Sequence, residues 1–161
     1  MAERAGPEKR SRVYYSPSSK GRKREAISYA ELIGLTTTSE LVLAAKVESG
    51  FDFRAFVRLQ QATKLTARQL ADLISITDRT LSRRKLEGRL RPDESERLLR
   101  LARVVDLALS LFEGDKKAAQ GWLMLSNDAL GGKTPIELSK TEVGAREVES
   151  LIHRLEHGVF V

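Results

Sequence analysis

Apolar residues along this chain recur at spacings of three and four and show no sustained alternation, so the pattern predicts helices and no sheet. Leu41, Val42, Ala45 and Val47 mark a helix over 39–49, with Ser39 as N-cap and Gly50 as its stop. Phe53, Phe56, Val57 and Leu59 (or Gln60) mark a second over 53–63. Thr66 and Gln69 stand at the spacing of a capping box. They open a third helix whose buried side is Leu70, Ala71, Leu73 and Ile74. Ser75-Ile76 make a short turn, Thr77 caps a helix from Asp78 to about Glu87, and Gly88 ends it. Pro92 suits the first position of a long helix to about Glu113, with Asp93, Glu94 and Glu96 near its positive end. Its stripe of Leu98, Leu101, Val105, Ala108 and Phe112 reads as core in preference to a dimer seam, because it is short for a coiled coil.

The C-terminal part continues the helical pattern. Asp115 caps a helix through Trp122 and Leu125, with Trp122 as a core anchor. The loop 126–133 contains Gly131-Gly132. Thr134-Pro135-Ile136-Glu137 is a capping box with Pro at the first helical position. Thr141 caps a last helix to about His157, with Val143, Val148, Leu151, Ile152 and Leu155 on its apolar side and Gly158 as its C-cap. The fold class expected is all-α.

Composition narrows the function. With 161 residues, 41% hydrophobic and 31% charged, the chain can form one domain or two small ones sharing a core. Cysteine is absent, which excludes disulfides, thiol nucleophiles and thiolate metal sites and makes the cytoplasm the expected compartment. No apolar run reaches the roughly 20 residues a bilayer requires, and the basic N-terminus has no apolar run behind it, unlike a signal peptide. The net charge of +6 resides entirely in residues 1–24, a polar stretch rich in Ser, Gly and Pro that we expect to be a disordered tail. It serves as a solubilising tail, a phosphate-attracted arm, or both. Residues 79–103 carry a local +5 and residues 112–161 a net −2, which suggests two different partner surfaces.

Residues 66–87 carry the sharpest motif. A helix-turn-helix needs a small residue where its helices cross, a small or flexible one in the turn, and an apolar one seating the second helix. Ala71, Ser75 and Leu81 stand at those spacings, with Ile74, Ile76 and Leu86 expected inward. Ser75 occupies a position usually held by Gly, so this turn must accommodate a side chain. The outward face of the second helix offers Asp78, Arg79, Thr80, Ser82, Arg83 and Lys85. Because the N-terminal part of such a helix meets base edges, Arg79, Thr80, Ser82 and Arg83 are assigned to base or groove-edge contact, and Arg84, Lys85 and Arg89 to phosphates. A solvated basic helix is the plain alternative, and the agreement of spacing with charge favours DNA.

Other chemistries are poorly served. Gly132-Lys133-Thr134 imitates the end of a phosphate-binding loop, but Asn127 stands where that loop needs Gly, and no strand precedes it. His153 and His157 have metal-helix spacing without a third ligand, so no metal and no cofactor are expected. No nucleophile–base set is evident, and we expect no enzyme.

The chain from about residue 51 to 161 resembles the Xre antitoxin family of RES–Xre toxin–antitoxin pairs, which includes the MbcA/ParS-type toxin-binding domain. The resemblance rests on L-T-A-R-Q-L-A with T-L-S-R-R-K, on R-L-L-R-L-A-R-V, on W-L-x-x-x-N-D-A-L-G-G-K-T-P-I-E-L, and on G-A-R-E-V-E with H-G-V-F. The C-terminal motifs are the more specific. The resemblance implies an antitoxin that blocks the active-site cleft of a RES-domain, NAD-depleting toxin and represses its own operon. The expected division is a tail at 1–24, a DNA-binding domain at 25–113 and a toxin-binding domain at 114–161. Leu130 and Lys133 are expected on a rigid loop facing the toxin, together with Arg146, Glu149, His153, His157 and Phe160. The expected partners are the toxin and operator DNA, bound as a homodimer or as a hetero-oligomer with toxin, and no membrane. A stand-alone helix-turn-helix repressor with a C-terminal dimerisation module is the alternative.

Overall fold

The computed structural model describes residues 29–36 and 39–158. Its helices are α1 (Tyr29–Leu32), α2 (Glu40–Ser49), α3 (Arg54–Thr63), α4 (Ala67–Leu73), α5 (Asp78–Glu87), α6 (Pro92–Leu111), α7 (Lys116–Met124), α8 (Pro135–Leu138) and α9 (Glu142–Glu156), with a 3-10 turn at Asp128–Leu130. The all-α expectation holds among the described residues, where the only extended pairing is an isolated bridge between Asp52 and Arg89. The basic tail at 1–24 and the apolar tip at 159–161 lie outside the described residues.

Side-chain caps start these helices by accepting N–H groups that the first turn leaves without partners. Thr66 Oγ1 accepts the Gln69 N–H while Gln69 Oε1 accepts the Thr66 N–H, closing the capping box of α4. Thr77 caps α5 through the Thr80 N–H, Asp115 caps α7 through Lys117 and Ala118, and Thr141 caps α9 through Gly144. Thr134 accepts the Glu137 N–H ahead of Pro135 in α8. The last helix closes at His157, one residue before the expected Gly158.

A single apolar cluster runs through both halves of the chain. It includes Phe56, Leu59, Leu70 and Ile74 from α3 and α4 and the link after α4, and Val148, Leu151 and Ile152 from α9. The stripe of α6 joins them: Leu98, Leu101, Val105 and Ala108 are buried inside this one chain, and Phe112 packs against Trp122 with ring centroids 6.3 Å apart. That is the core reading of the stripe.

Polar ties reinforce the same union. Arg97 Nε donates to the Ile74 carbonyl at 2.7 Å, and Lys140 Nζ pairs with Asp72 at 2.6 Å. Arg100 Nη2 donates to the Lys140 carbonyl at 3.0 Å.

Two links around α5 are held by backbone. The Leu90 N–H donates to the Phe51 carbonyl at 2.8 Å and the Phe53 N–H to the Gly88 carbonyl at 2.9 Å. Gly50 makes this approach possible. Its φ is +76°, and a Cβ there would stand 2.2 Å from the Leu90 carbonyl oxygen.

Three helix faces differ from expectation. In α2 the buried residue is Leu43, while Leu41 and Val42 are exposed. The sequence ELVLAAKVES is apolar nearly all round, so periodicity could not choose a side. In α5, Leu86 points to solvent with 90% exposure instead of inward. In α9, Val143 is exposed in the first turn, ahead of the buried face formed by Ala145, Val148, Leu151 and Ile152.

Candidate functional site

The first candidate surface is built by α4, α5 and the turn between them. Ser75 adopts φ +57°, the left-handed conformation the sequence reading required of a non-glycine here. The Ile76 N–H returns to the Ala71 carbonyl at 2.9 Å and buries Ile76 beneath the turn. Leu81 packs against the core from α5, so the outward residues of that helix are fixed.

Arg79, Ser82 and Arg83 lie on that outward face, one helical turn apart, and are exposed; Lys85 is exposed on its flank, and Thr80 is partly covered. Arg83 reaches Glu87 only at 3.9 Å. Arg89, beyond the helix end, is exposed and donates from Nη1 to the Ser49 carbonyl at 3.1 Å. The face therefore presents exposed guanidinium and ammonium donors with few internal acceptors, which is what phosphate and guanine edges require. Leu86 continues the stripe of Arg79, Ser82 and Arg83 into the last turn of the helix.

Arg84 does not belong to this surface, and its assignment to phosphate is corrected by its burial. Its side chain is 3% exposed. Its Nε donates to both oxygens of Glu94, at 3.0 and 2.8 Å, and Nη1 donates to Glu87 at 2.7 Å. Glu94 also accepts the Arg91 N–H at 2.9 Å. Hydrogen bonding to Glu94 holds the guanidinium pKa above its ordinary value. Arg84 is thus the bolt between α5 and the first turn of α6. In a run written S-R-R-K, the sequence offers nothing that distinguishes this arginine from Arg83 except its place on the inward side of the helix.

Asp78 and Arg68 form a pair that the sequence reading left unassigned. Arg68 Nε donates to Asp78 Oδ2 at 3.0 Å, joining the first turn of α4 to the first residue of α5.

The second candidate surface is C-terminal. Lys133 is exposed on the loop ahead of α8, as expected. Leu130 is not: it is 6% exposed and belongs to the core cluster, so it supports that loop from beneath. Arg146, His153 and His157 share one exposed stripe of α9. Arg146 keeps a 3.2 Å bond to Glu142, and His153 Nδ1 lies 3.4 Å from Glu156. Burial would raise the pKa of Glu142, but Arg146, Arg103 and Arg100 outweigh it and hold it low. Glu149 is not a free handle, because it is partly buried and accepts from Arg103 Nε at 2.7 Å. Phe160 lies outside the described residues.

Gly144 and Ala145 are buried, and a Cβ on Gly144 would stand 1.9 Å from the Leu138 carbonyl oxygen. Gly144 thus serves the close approach of α8 to α9, and Ala145 belongs to the core cluster. Val143, Met124 and Leu125 are exposed apolar residues in this half that sequence reading missed as surface. Apart from the long apolar run W-L-M-L, nothing local signalled them. Among the described residues no group of three or more His, Asp and Glu could hold a metal ion.

Comparisons with known proteins agree on both halves. A family model for the antitoxin Xre-like helix-turn-helix domain matches residues 42–103. A second, for the antitoxin Xre/MbcA/ParS C-terminal toxin-binding domain, matches residues 107–158. A protein named antitoxin Xre from Yersinia enterocolitica serotype O:8 / biotype 1B is 39% identical over 129 residues, spanning 80% of this chain and 87% of its own. Its namesake from Photorhabdus laumondii subsp. laumondii is 34% identical over 128 residues, 79% of this chain and 86% of its own. One from Pseudomonas putida is 29% identical over 121 residues, 74% of each.

Proposed function

The chain belongs to the Xre antitoxin family, and from that premise we propose that it silences a RES-domain, NAD-depleting toxin and represses its own operon through α5. The family is one of type II antitoxins that join a helix-turn-helix to a toxin-binding domain, and it is not an enzyme family. The observation that carries the reading is the tandem of those two matches on a chain whose α5 presents an exposed basic face.

Residues 25–113 provide the DNA-binding unit and residues 114–161 the toxin-binding unit on a shared core. Arg79, Thr80, Ser82 and Arg83 contact base edges or the groove wall, and Lys85 and Arg89 contact phosphates. Lys133, Arg146, His153 and His157 face the toxin and cover its active-site cleft. The protein works in the cytoplasm, as a homodimer or as a hetero-oligomer with toxin, on operator half-sites about 34 Å apart. No helix among the described residues is long and apolar enough to cross a membrane.

Co-purification of the tagged protein with the product of the adjacent gene, followed by an NAD assay of that product alone and in complex, tests the toxin half. The expected result is a stable complex in which NAD loss stops. A stable complex whose partner leaves NAD untouched would replace the RES assignment, and the absence of any complex would leave a repressor alone.

A further inference from the structure

We propose that Asp78 is a base-reading residue, set by Arg68, and that it selects a cytosine in the operator. The inference rests on the reading of α5 as the DNA-reading helix. Asp78 is the first residue of that helix, where base edges are met. It is the one acid in the first turn of that helix, beside the exposed cations Arg79, Arg83, Lys85 and Arg89, whereas the exposed acid Glu87 stands at the far end of the helix facing Arg83 and Arg84. A free carboxylate there would repel phosphates.

The structure removes that conflict. Both bonds from Arg68, from Nε at 3.0 Å and from Nη2, fall on Asp78 Oδ2. Among the described residues nothing donates to Oδ1, and Arg68 Nη1 has no acceptor. The side chains stay open to solvent, at 82% for Arg68 and 57% for Asp78. The pair thus exposes one open acceptor, Oδ1, beside one open cationic donor, Nη1.

The chemistry of the groove selects the ligand. A carboxylate only accepts, so it needs a base that donates into the major groove. Guanine and thymine present acceptors there. Adenine pairs its amino donor with the N7 acceptor, which repels a carboxylate, whereas cytosine offers N4–H2 without one. Arg68 Nη1 is left for the phosphate next to that base. Arg68 acts through Asp78 and is a positioning residue. The favourable placing of an acid at a helix N-terminus accounts for Asp78 being acidic, but it requires neither the arginine clamp nor the open Oδ1.

The test is selection from a duplex DNA pool with a randomised centre, using the full chain. Wild type is expected to fix a cytosine at one position of each half-site. Asp78→Ala releases that position alone, with discrimination there falling on the order of tenfold. Asp78→Asn, which keeps a capable first-turn residue, moves the preference to adenine, because an amide both donates and accepts. Arg68→Met weakens the same preference and lowers the salt slope of binding by about one, and Arg68→Lys restores part of the slope. Thermal melts accompany each variant. An Asp78→Ala pool identical to that of wild type, with both proteins folded, overturns the inference while leaving α5 as the reading helix. Failure of wild type to enrich any sequence removes that reading and the inference with it.

Discussion

Removing the Arg84 guanidinium should destabilise the fold without removing a phosphate contact. In Arg84→Met the side chain keeps an unbranched apolar stem as far as the position of Nε, so the packing of the stem changes little, but Glu94 loses both bonds from Nε and Glu87 the bond from Nη1. Glu94 is buried, at 4% side-chain exposure, and only the Arg91 N–H remains to it. Breaking one half of a buried pair costs about 3–5 kcal/mol, because the other charge is left in a poor solvent. At about 2–4 °C per kcal/mol for a chain of this size, Tm falls by roughly 6–20 °C. The second variant is Arg84→Met with Glu94→Gln. It removes the stranded charge yet keeps a carbonyl oxygen for the Arg91 N–H, and it should recover more than half of the loss. The assays are thermal melts of both variants and the salt dependence of DNA binding at a temperature where each is folded. Were Arg84 a phosphate ligand, the slope of log K against log salt would shrink by about 0.9 and Tm would hardly move. That pair of results would refute the reasoning.

Three further predictions rest on single positions. Leu86→Ala should change stability by less than about 0.5 kcal/mol because the side chain is already in water; a loss of about 2–5 kcal/mol would restore the inward expectation. Gly144→Ala should cost about 1–3 kcal/mol by forcing α9 away from the Leu138 carbonyl, and it should weaken toxin capture through displacement of α8, read as Tm and as complex recovered. Asp106 has its pKa raised to about 6, first by burial and then by Glu31, with the Tyr29 N–H opposing. The folded chain therefore binds this proton more tightly than the unfolded one. Its contribution to stability is full below the ordinary carboxylate pKa and is lost as pH rises through about 6. Melts of Asp106→Asn should lose this component of the pH dependence and show a higher Tm than wild type at pH near 8; a lower Tm there would contradict the assignment.

What was legible in the sequence was mostly local. Thr66 with Gln69, Thr77, Asp115, Thr134 and Thr141 each cap within a few residues, so chain order alone exposes them. The turn at Ser75 was legible for the same reason. The errors concern which side of a helix meets a distant neighbour. Arg84 is inward because Glu94 of α6 receives it, and Leu130 is buried because the core cluster extends beneath its loop. Leu41 and Val42 mark α2 as a helix without giving its buried side, because its sequence is apolar nearly all round. The outward basic residues of α5 were recoverable because the turn and Leu81 jointly fix the helix rotation.

The shared core decides how the two activities can be separated experimentally. α6 belongs to the same apolar cluster as α4 and α9, and Lys140–Asp72 and Arg97–Ile74 cross between the halves. A change at a buried position in either half is therefore transmitted as lost stability to the other. Leu130 illustrates the hazard: its replacement would weaken toxin capture and DNA binding together, and would falsely suggest that toxin contact governs repression. Variants that test one function must come from exposed side chains with few internal bonds, such as Arg79 and Arg83 on α5 or Lys133 and His157 on the C-terminal surface. If such variants still move both activities while Tm stays constant, the coupling runs through conformation and not through stability. The ties between Asp72, Lys140 and Arg100 are then the first place to cut.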